Sequence, residues 1–431
     1  MKIIKFPKKE VWKTILERPS FDLEELMKAV TEIINEVRKN GDEALKSFTR
    51  RFDKIELDNI AVSSVEIAAS KYEIDDTLKS AIDIARANIE MFHRKQVPEK
   101  ISCDTTPGVK VWQQAKAIDK VGLYIPGGTA PLISTVLMLG IPAKIAGCSE
   151  IIICTPPSKE GKVNPAILYA ASLLGINKIY KVGGAQAIAA MAYGTETIPM
   201  VYKIFGPGNQ YVTAAKMKVS LDKTAIDMPA GPSEVAIIAD KYSDPAFVAS
   251  DLLSQAEHGE DSQVLMITKD EEIIERVQDE IDKQLEDLPR KELAIRSLGN
   301  SKFILLKDDN EILALVNDYA PEHLIIVTKN YSELVEGINN AGSVFLGKFT
   351  PESAGDYASG TNHTLPTNGA ARAYSGINTA SFMKKITYQE ITKYGLFNIG
   401  PSVERMARAE DLEAHRRAIS IRMNSANNYR T

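Results

Sequence analysis

The chain has 431 residues, 44% hydrophobic and 25% charged, with 52 basic against 57 acidic side chains and a formal net charge of −5. At roughly 150 residues per domain this length suggests about three domains, and the mix excludes a disordered chain, a coiled coil or a fibre. The mildly acidic balance carries no global signature of nucleic-acid binding, and three cysteines are too few for a disulfide scaffold.

The N-terminus, MKIIKFPKKEVWK, has positive charge but no apolar stretch long enough for a signal peptide. Residues 1 to about 100 read as helical. From Asp22 to Val37, the residues Leu23, Leu26, Val30, Ile33, Ile34 and Val37 fall close to a 3.6-residue period, and Asn40-Gly41 stops the run. A second helix is expected from about Thr77 to His93, which ends it beside Arg94 and Lys95 as an ordinary C-terminal cation.

From Val121 the character changes, and short β-branched runs alternate with helical patterns. Strands are expected at 121–125, 150–154, 178–182, 200–205 and 224–228, with helices starting near Pro131, Pro165, Ala185 and Asn209. A second block has strands near 235–239, 263–268, 302–306, 323–328 and 342–346, with a charged amphipathic helix at 271–286. Alternation of this kind implies βαβ units and parallel sheets. The uncharged run Val121 to Ala143 has the length of a membrane span, but four glycines and three prolines break it into strand, turn and helix. Beyond about 347 the chain is rich in Gly, Ser, Thr and Asn as far as Asn378, and the last 40 or so residues return to helix. Two α/β blocks with helical ends is the simplest organisation, with a cytoplasmic location as the default.

Three strand ends in the first block run into glycine turns: Leu123-Tyr-Ile-Pro-Gly-Gly128, Val182-Gly-Gly-Ala-Gln186 and Phe205-Gly-Pro-Gly-Asn209. A tight turn at a helix start offers free N–H groups and a positive dipole end, and glycine lets a ligand come close to the backbone. Parallel sheets gather such turns at their carboxyl edge, where ligands bind. None matches G-x-G-x-x-G, so the ligand stays unnamed at this point.

The second block carries the polar candidates. Gln255 and His258 are three apart near the end of a helix, a spacing that can chelate a divalent ion, although spacing alone favours an exposed polar face. Glu322 and His323 precede an apolar strand and make a plausible acid/base pair. Neighbours on a strand point to opposite faces, so both serve one site only if Pro321 makes the backbone irregular there. The loop 351–366 holds Asp356, a possible hard metal ligand, and His363, best read as a hydrogen-bonded structural histidine. Glu410 and His415 are five apart on what reads as one charged C-terminal helix. Cys148 and Cys154 flank a strand and read as buried inert thiols.

The segments Leu123-Tyr-Ile-Pro-Gly-Gly, Phe205-Gly-Pro-Gly-Asn, Met228-Pro-Ala-Gly-Pro-Ser-Glu, Ser254-Gln-Ala-Glu-His-Gly, Ala320-Pro-Glu-His-Leu, Gly355-Asp-Tyr-Ala-Ser-Gly-Thr-Asn-His-Thr-Leu-Pro-Thr and Glu413-Ala-His-Arg together resemble the histidinol dehydrogenase family. The resemblance runs from Val37-Arg-Lys-Asn-Gly-Asp-Glu-Ala-Leu45 to the final helix. It implies an α/β fold of two Rossmann-like domains, incomplete doubly wound parallel sheets, with small helical terminal segments. It divides the chain into an N-terminal segment 1–20, a metal and substrate domain 21–118 plus 235–375, an NAD domain 119–234 and a C-terminal segment 376–431 that reaches the partner subunit.

The implied activity is the NAD-dependent oxidation of L-histidinol through the aldehyde to L-histidine, at the end of histidine biosynthesis. One Zn2+ per subunit would be held by Gln255, His258, Asp356 and His415. Glu322 would activate water and His323 would act as general base. Ser233 and Glu410 would contact substrate together with Gln255, His258, His323, Asp356 and His415, while Tyr124, Gln186 and Asn209 would contact NAD. The implied assembly is a homodimer with shared active sites, with neither nucleic acid nor membrane as partner. A zinc- and NAD-dependent dehydrogenase of the same family acting on another polar alcohol is the alternative.

Overall fold

The structure, a computed structural model, describes residues 1–19, 23–127, 131–229 and 231–428. Ser20, Phe21, Asp22, Gly128 and Ala230, on which parts of the motifs above fall, lie outside the described residues. The strands are β1 Lys2–Lys5, β2 Ile101–Thr106, β3 Val109–Ala117, β4 Lys120–Tyr124, β5 Glu150–Cys154, β6 Lys178–Tyr180, β7 Lys203–Phe205, β8 Ala225–Ile226, β9 Glu234–Ile238, β10 Gln263–Thr268, β11 Lys302–Leu305, β12 His323–Ile326, β13 Ser343–Leu346 and β14 Met383–Ile391.

They form three sheets. The smaller parallel sheet runs β6-β5-β4-β7-β8, and the larger one runs β1-β11-β10-β9-β12-β13, also parallel throughout. Leaving aside β1 at its edge, the larger sheet repeats the winding of the smaller: the chain lays three strands outward in one direction, then returns past the first to add two on the other side. The third sheet, β14-β3-β2, is antiparallel.

Both parallel sheets are covered on both faces, so their strands are apolar throughout rather than alternating. Along β9, Val235 and Ile237 face one core cluster with Val248, Leu252, Ile273 and Val277. Ala236 and Ile238 face another with Trp12, Leu16, Ile312 and Leu315. The covering helices begin where the sequence supplies caps. Asn164 and Asp244 each accept the N–H two residues on, and a proline follows each cap.

Three features depart from the sequence reading. The first is the segment 1–20, expected to be helical, which begins with strand β1 pairing parallel to β11 and has only short helical turns after it. Four residues of Lys-Ile-Ile-Lys are too short to show a period. The second is the antiparallel sheet, where no strand was expected: β2 is exposed over most of its length and β14 is lysine-rich, so neither shows an apolar run. The third is the helix Leu23–Phe52, broken by non-helical Gly41, and the helix Asp76–Arg94. Both bury their apolar faces on the smaller sheet, since Val30, Ile34, Leu45, Ile82 and Ile89 share clusters with β4 and β5, while the second also touches the loop 358–362 through Asn88 and His93.

Candidate functional site

The helix Asp309–Tyr319 is capped by Asp308, which accepts the Glu311 N–H at 2.9 Å. It ends at Ala320 in the left-handed region, φ 52°, and Pro321 follows. This irregular turn sets Glu322 just ahead of β12 and lets its carboxylate approach the next side chain. Glu322 Oε2 lies 3.7 Å from His323 Nδ1, so the adjacent pair does share one site. Both residues are buried.

The register of β12 against β9 places Glu234 beside them. The Glu234 N–H donates to Glu322 Oε2 at 3.0 Å, and the Glu322 N–H donates to Glu234 Oε1 at 3.2 Å. His323 Nδ1 lies 3.3 Å from the Glu234 carbonyl, and because a carbonyl only accepts, that nitrogen carries the proton. His323 Nε2 is buried with no hydrogen-bond partner among the described residues, and Asp356 Oδ1 lies 3.6 Å away.

The helix Pro245–Ala256 brings in Gln255, fully buried, and His258 follows its end as an exposed residue. The short helix Glu352–Tyr357 after β13 brings in Glu352 and Asp356. Ligand atoms of His258, Glu352 and Asp356 all lie within 4.8 Å of one another. Both polar atoms of the Gln255 amide and Glu352 Oε2 are buried with no hydrogen-bond partner among the described residues. Imidazole, carboxylate and amide oxygens in that arrangement suit a divalent cation, and the orphaned amide is the kind of group a bound ion satisfies.

Electrostatics ties the two halves together. Burial opposes a charge on His323, but Glu352, Glu322 and Asp356 outweigh it and hold the imidazole well above its usual pKa. Burial pushes Glu322 up to about 8. Glu352 is also raised by burial. Burial works against Asp356 as well, yet His323, His363 and His258 hold its carboxyl below the usual value.

Ser233 is half-buried immediately before β9. Neither Glu410 nor His415 joins the ion cluster among the described residues, and both are exposed. They do not share a helix: Lys393–Ala409 ends just before Glu410, Asp411 takes φ 55°, and Glu413–Asn428 starts afresh.

Tyr124, Gln186 and Asn209 all stand at the carboxyl edge of the smaller sheet, after β4, β6 and β7. The β4/β7 border is where strand order reverses, the place where open parallel sheets bind ligands. The Tyr124 hydroxyl accepts the Gly184 N–H at 3.0 Å, and burial pushes its pKa up to about 12. The Asn209 side chain caps the helix Gln210–Ser220 by accepting the Tyr211 and Val212 N–H groups, both at 3.1 Å. Gly206 has φ 130°, and a side chain there would strike the Tyr124 carbonyl. The turn is fixed by a buried ion pair: Lys216 Nζ donates to the Gly206 carbonyl at 2.9 Å, and Asp227 accepts the Gly206 N–H at 2.8 Å. Glycine turns at two helix starts flank this switch point, a place where a ligand can come close to the backbone.

His363 is satisfied at both nitrogens, by the Asp356 carbonyl at 3.0 Å and Thr135 Oγ1 at 3.1 Å, the structural state expected of it. His93 is corrected. It is fully buried, donates from Nδ1 to the Ile89 carbonyl at 2.8 Å and accepts from Asn362 at 3.2 Å. Burial lowers its pKa, so it is a neutral link to the loop and not a helix-end cation. Cys148 and Cys154 are buried, Cys103 exposed. Burial pushes the Cys148 thiol up to about 11 and raises Cys154 further, so neither is a ready nucleophile.

Three buried acids escaped the sequence reading: Glu234, Asp251 and Glu352. Two had a signal. Asp251 lies four residues before Gln255 in an apolar helix, and Glu352 four before Asp356, spacings that share a helix face.

Two Rossmann-like parallel sheets, a glycine-lined switch point and a buried imidazole–carboxylate pair beside an ion cluster define an oxidoreductase of the α/β class. A model of the family described as histidinol dehydrogenase matches residues 16–423. The chain is 59% identical over 427 residues to a histidinol dehydrogenase of Bacteroides thetaiotaomicron, covering 99% of each chain. It is 49% identical to one of Escherichia coli, covering 96% of each. The crystal structure of histidinol dehydrogenase from Elizabethkingia anophelis superposes with a TM-score of 0.96 at 53% identity, covering 99% of each chain. The chain belongs to the histidinol dehydrogenase family.

Proposed function

We propose that the protein oxidises L-histidinol to L-histidine through L-histidinaldehyde, reducing two NAD per substrate, as the last steps of histidine biosynthesis in the cytoplasm. The observation that carries this reading is the His258–Glu352–Asp356 cluster, whose Asp356 lies 3.6 Å from His323 of the acid/base pair, with the orphaned Gln255 amide at the end of the helix that leads to His258.

In this mechanism His323 takes the hydroxyl proton through Nε2, the nitrogen that lacks a partner, as hydride leaves the carbinol carbon. Glu322 takes a proton from the water that adds to the aldehyde. His323 returns its proton to the carbonyl oxygen as the hydrate forms, and then takes a hydrate hydroxyl proton as it took that of the alcohol. NAD, bound near Tyr124, Gln186 and Asn209, supplies the hydride acceptor for both oxidations. Gln255, His258 and Asp356, with the partner subunit's His415, would hold a zinc ion, which when bound would supply a positive charge for positioning the substrate. Ser233 and the partner subunit's Glu410 complete the substrate contacts.

A homodimer is supported by the antiparallel sheet and the two C-terminal helices, which carry exposed Ile391, Tyr394, Met406, Leu412 and Ile421. Among the described residues no helix is long and apolar enough to cross a membrane.

The test is histidinol turnover with NADH counted, with and without a chelator. Two NADH per histidinol, lost on chelation and restored by zinc, is the expected result. NADH from another amino or sulfonated alcohol, with none from histidinol, would move the assignment to a different substrate.

A further inference from the structure

We propose that Glu234 is a positioning residue for the Glu322–His323 pair and that Arg18 is its clamp. The inference rests on the acid/base reading of that pair.

Glu234 is 1% exposed at the start of β9, a central strand of the larger sheet. Its N–H holds the Glu322 carboxylate, its carbonyl holds His323 Nδ1, and its carboxylate holds the Glu322 N–H. One residue thus sets the side chain and backbone of Glu322 and the tautomer of His323. The imidazole must present Nε2 as its acceptor in the neutral ring, and a carbonyl at Nδ1 selects that tautomer.

A buried carboxylate so close to a second one needs a counter-charge. Arg18 supplies it with a two-pronged grip: Nε on Glu234 Oε2 and Nη2 on Glu234 Oε1 at 2.9 Å. Arg18 is itself held by the Tyr319 carbonyl at 2.7 Å and lies 3.9 Å from the centre of the Tyr319 ring. The Tyr319 hydroxyl donates to Gln263 at 2.9 Å, closing the cluster. Tyr319 is also the last residue of the helix whose end delivers Glu322. The clamp therefore grips the helix end directly and, through the Glu234 carboxylate, the Glu322 N–H at the other end of the irregular turn. A buried ion pair is weak evidence of stabilisation by itself. Here the Tyr319 hydroxyl adds a bond to Glu234 Oε2 at 3.4 Å, and three further bonds of Glu234 go to the reacting pair.

The experiment compares zinc-loaded wild type with Glu234→Gln, Arg18→Gln and Arg18→Lys. It reads kcat, KM for histidinol, bound zinc, unfolding midpoint and NADH per histidinol with an aldehyde trap present. Misplacement by about an ångström can cost about a hundred-fold in rate. The expected result is a fall in kcat of about ten- to a hundred-fold for Glu234→Gln and Arg18→Gln. KM and zinc should stay near wild type, and Arg18→Lys should partly recover. Because Glu322 serves only the second oxidation, NADH per histidinol should fall from two towards one, with trapped aldehyde. Folded variants with wild-type kcat and two NADH, whatever their unfolding midpoint, would reduce the cluster to a fastening and overturn the proposal. Should Glu234→Gln fail to fold, the two Arg18 variants and Tyr319→Phe decide by the same readouts. Glu322→Gln in the same assay separates the two failures: wild-type turnover there refutes the acid/base reading instead.

Discussion

His323 Nε2 and Asp356 Oδ1 face each other across 3.6 Å, and that nitrogen has no other partner. The atom proposed to take the proton and the carboxylate proposed to hold the ion share one small space. His323→Asn should therefore remove the base without dismantling the ion site. We expect turnover to fall by about two to four orders of magnitude, the usual contribution of a general base. Metal analysis should find zinc near one per chain. Loss of metal with activity would reassign His323 to the ligand set.

Among the described residues His415 does not join the cluster that holds Asp356, so the proposed ion site would draw on two chains. Asp356→Ala and His415→Ala homodimers should each bind zinc weakly and turn over slowly. Mixed dimers contain one site with both lesions and one with neither, so verified heterodimers should recover up to about half of wild-type activity on that geometry. Absence of recovery in purified heterodimers would count against a shared site.

Burial pushes Asp251 up to about 7, and the residue is 6% exposed. Its ordinary value is about 3.9. A folded pKa above the unfolded one means that the contribution to stability is fully present below about pH 4 and is lost as pH rises through about 7. Asp251→Asn removes that loss. Urea unfolding should find the variant close to wild type near pH 4 and more stable by a few kcal/mol near pH 8, at roughly 1.4 kcal/mol per pKa unit. Equal stability of the two proteins across this range would show that Asp251 is solvated.

Lys216 and Asp227 are buried around Gly206, with side chains 4% and 1% exposed. Asp227→Asn strands a buried cation and should destabilise the protein by about 3–5 kcal/mol. In the fraction that stays folded, the Phe205-Gly-Pro-Gly-Asn209 turn loses one of its two anchors. KM for NAD should rise while KM for histidinol holds. An unchanged KM for NAD would detach this turn from the cofactor.

The strands of both parallel sheets were readable because burial on two faces demands continuous β-branched runs, as in Glu150-Ile-Ile-Ile-Cys154 and Glu234-Val-Ala-Ile-Ile238. The antiparallel sheet was not, because its strands are stabilised by pairing between distant segments: β3 meets β14 over nine residue pairs that lie far apart in sequence. Nothing local in Met383-Lys-Lys-Ile-Thr announces that partner. Packing of Leu23–Phe52 on the smaller sheet was likewise invisible, since an apolar stripe shows that a helix is covered and not by what.

The site divides similarly. Gln255, His258, Asp356, Glu322 and His323 stood out through motif resemblance, and the irregular turn at Pro321 was deducible from the need for neighbours to share a site. Glu234 was not deducible. Its importance comes from register across β9 and β12 and from Arg18, 216 residues earlier in the chain.

The three cysteines differ in a way that offers a practical handle. With Cys148 and Cys154 buried and their thiols raised, a maleimide at neutral pH should attach to exposed Cys103 alone, without any engineered substitution. Cys103 sits on β2, in the sheet that adjoins the C-terminal helices. A spin label there would turn this sheet into a ruler. The separation between two labels, read by dipolar spectroscopy, would report how the arms of two chains are disposed while the catalytic residues remain untouched.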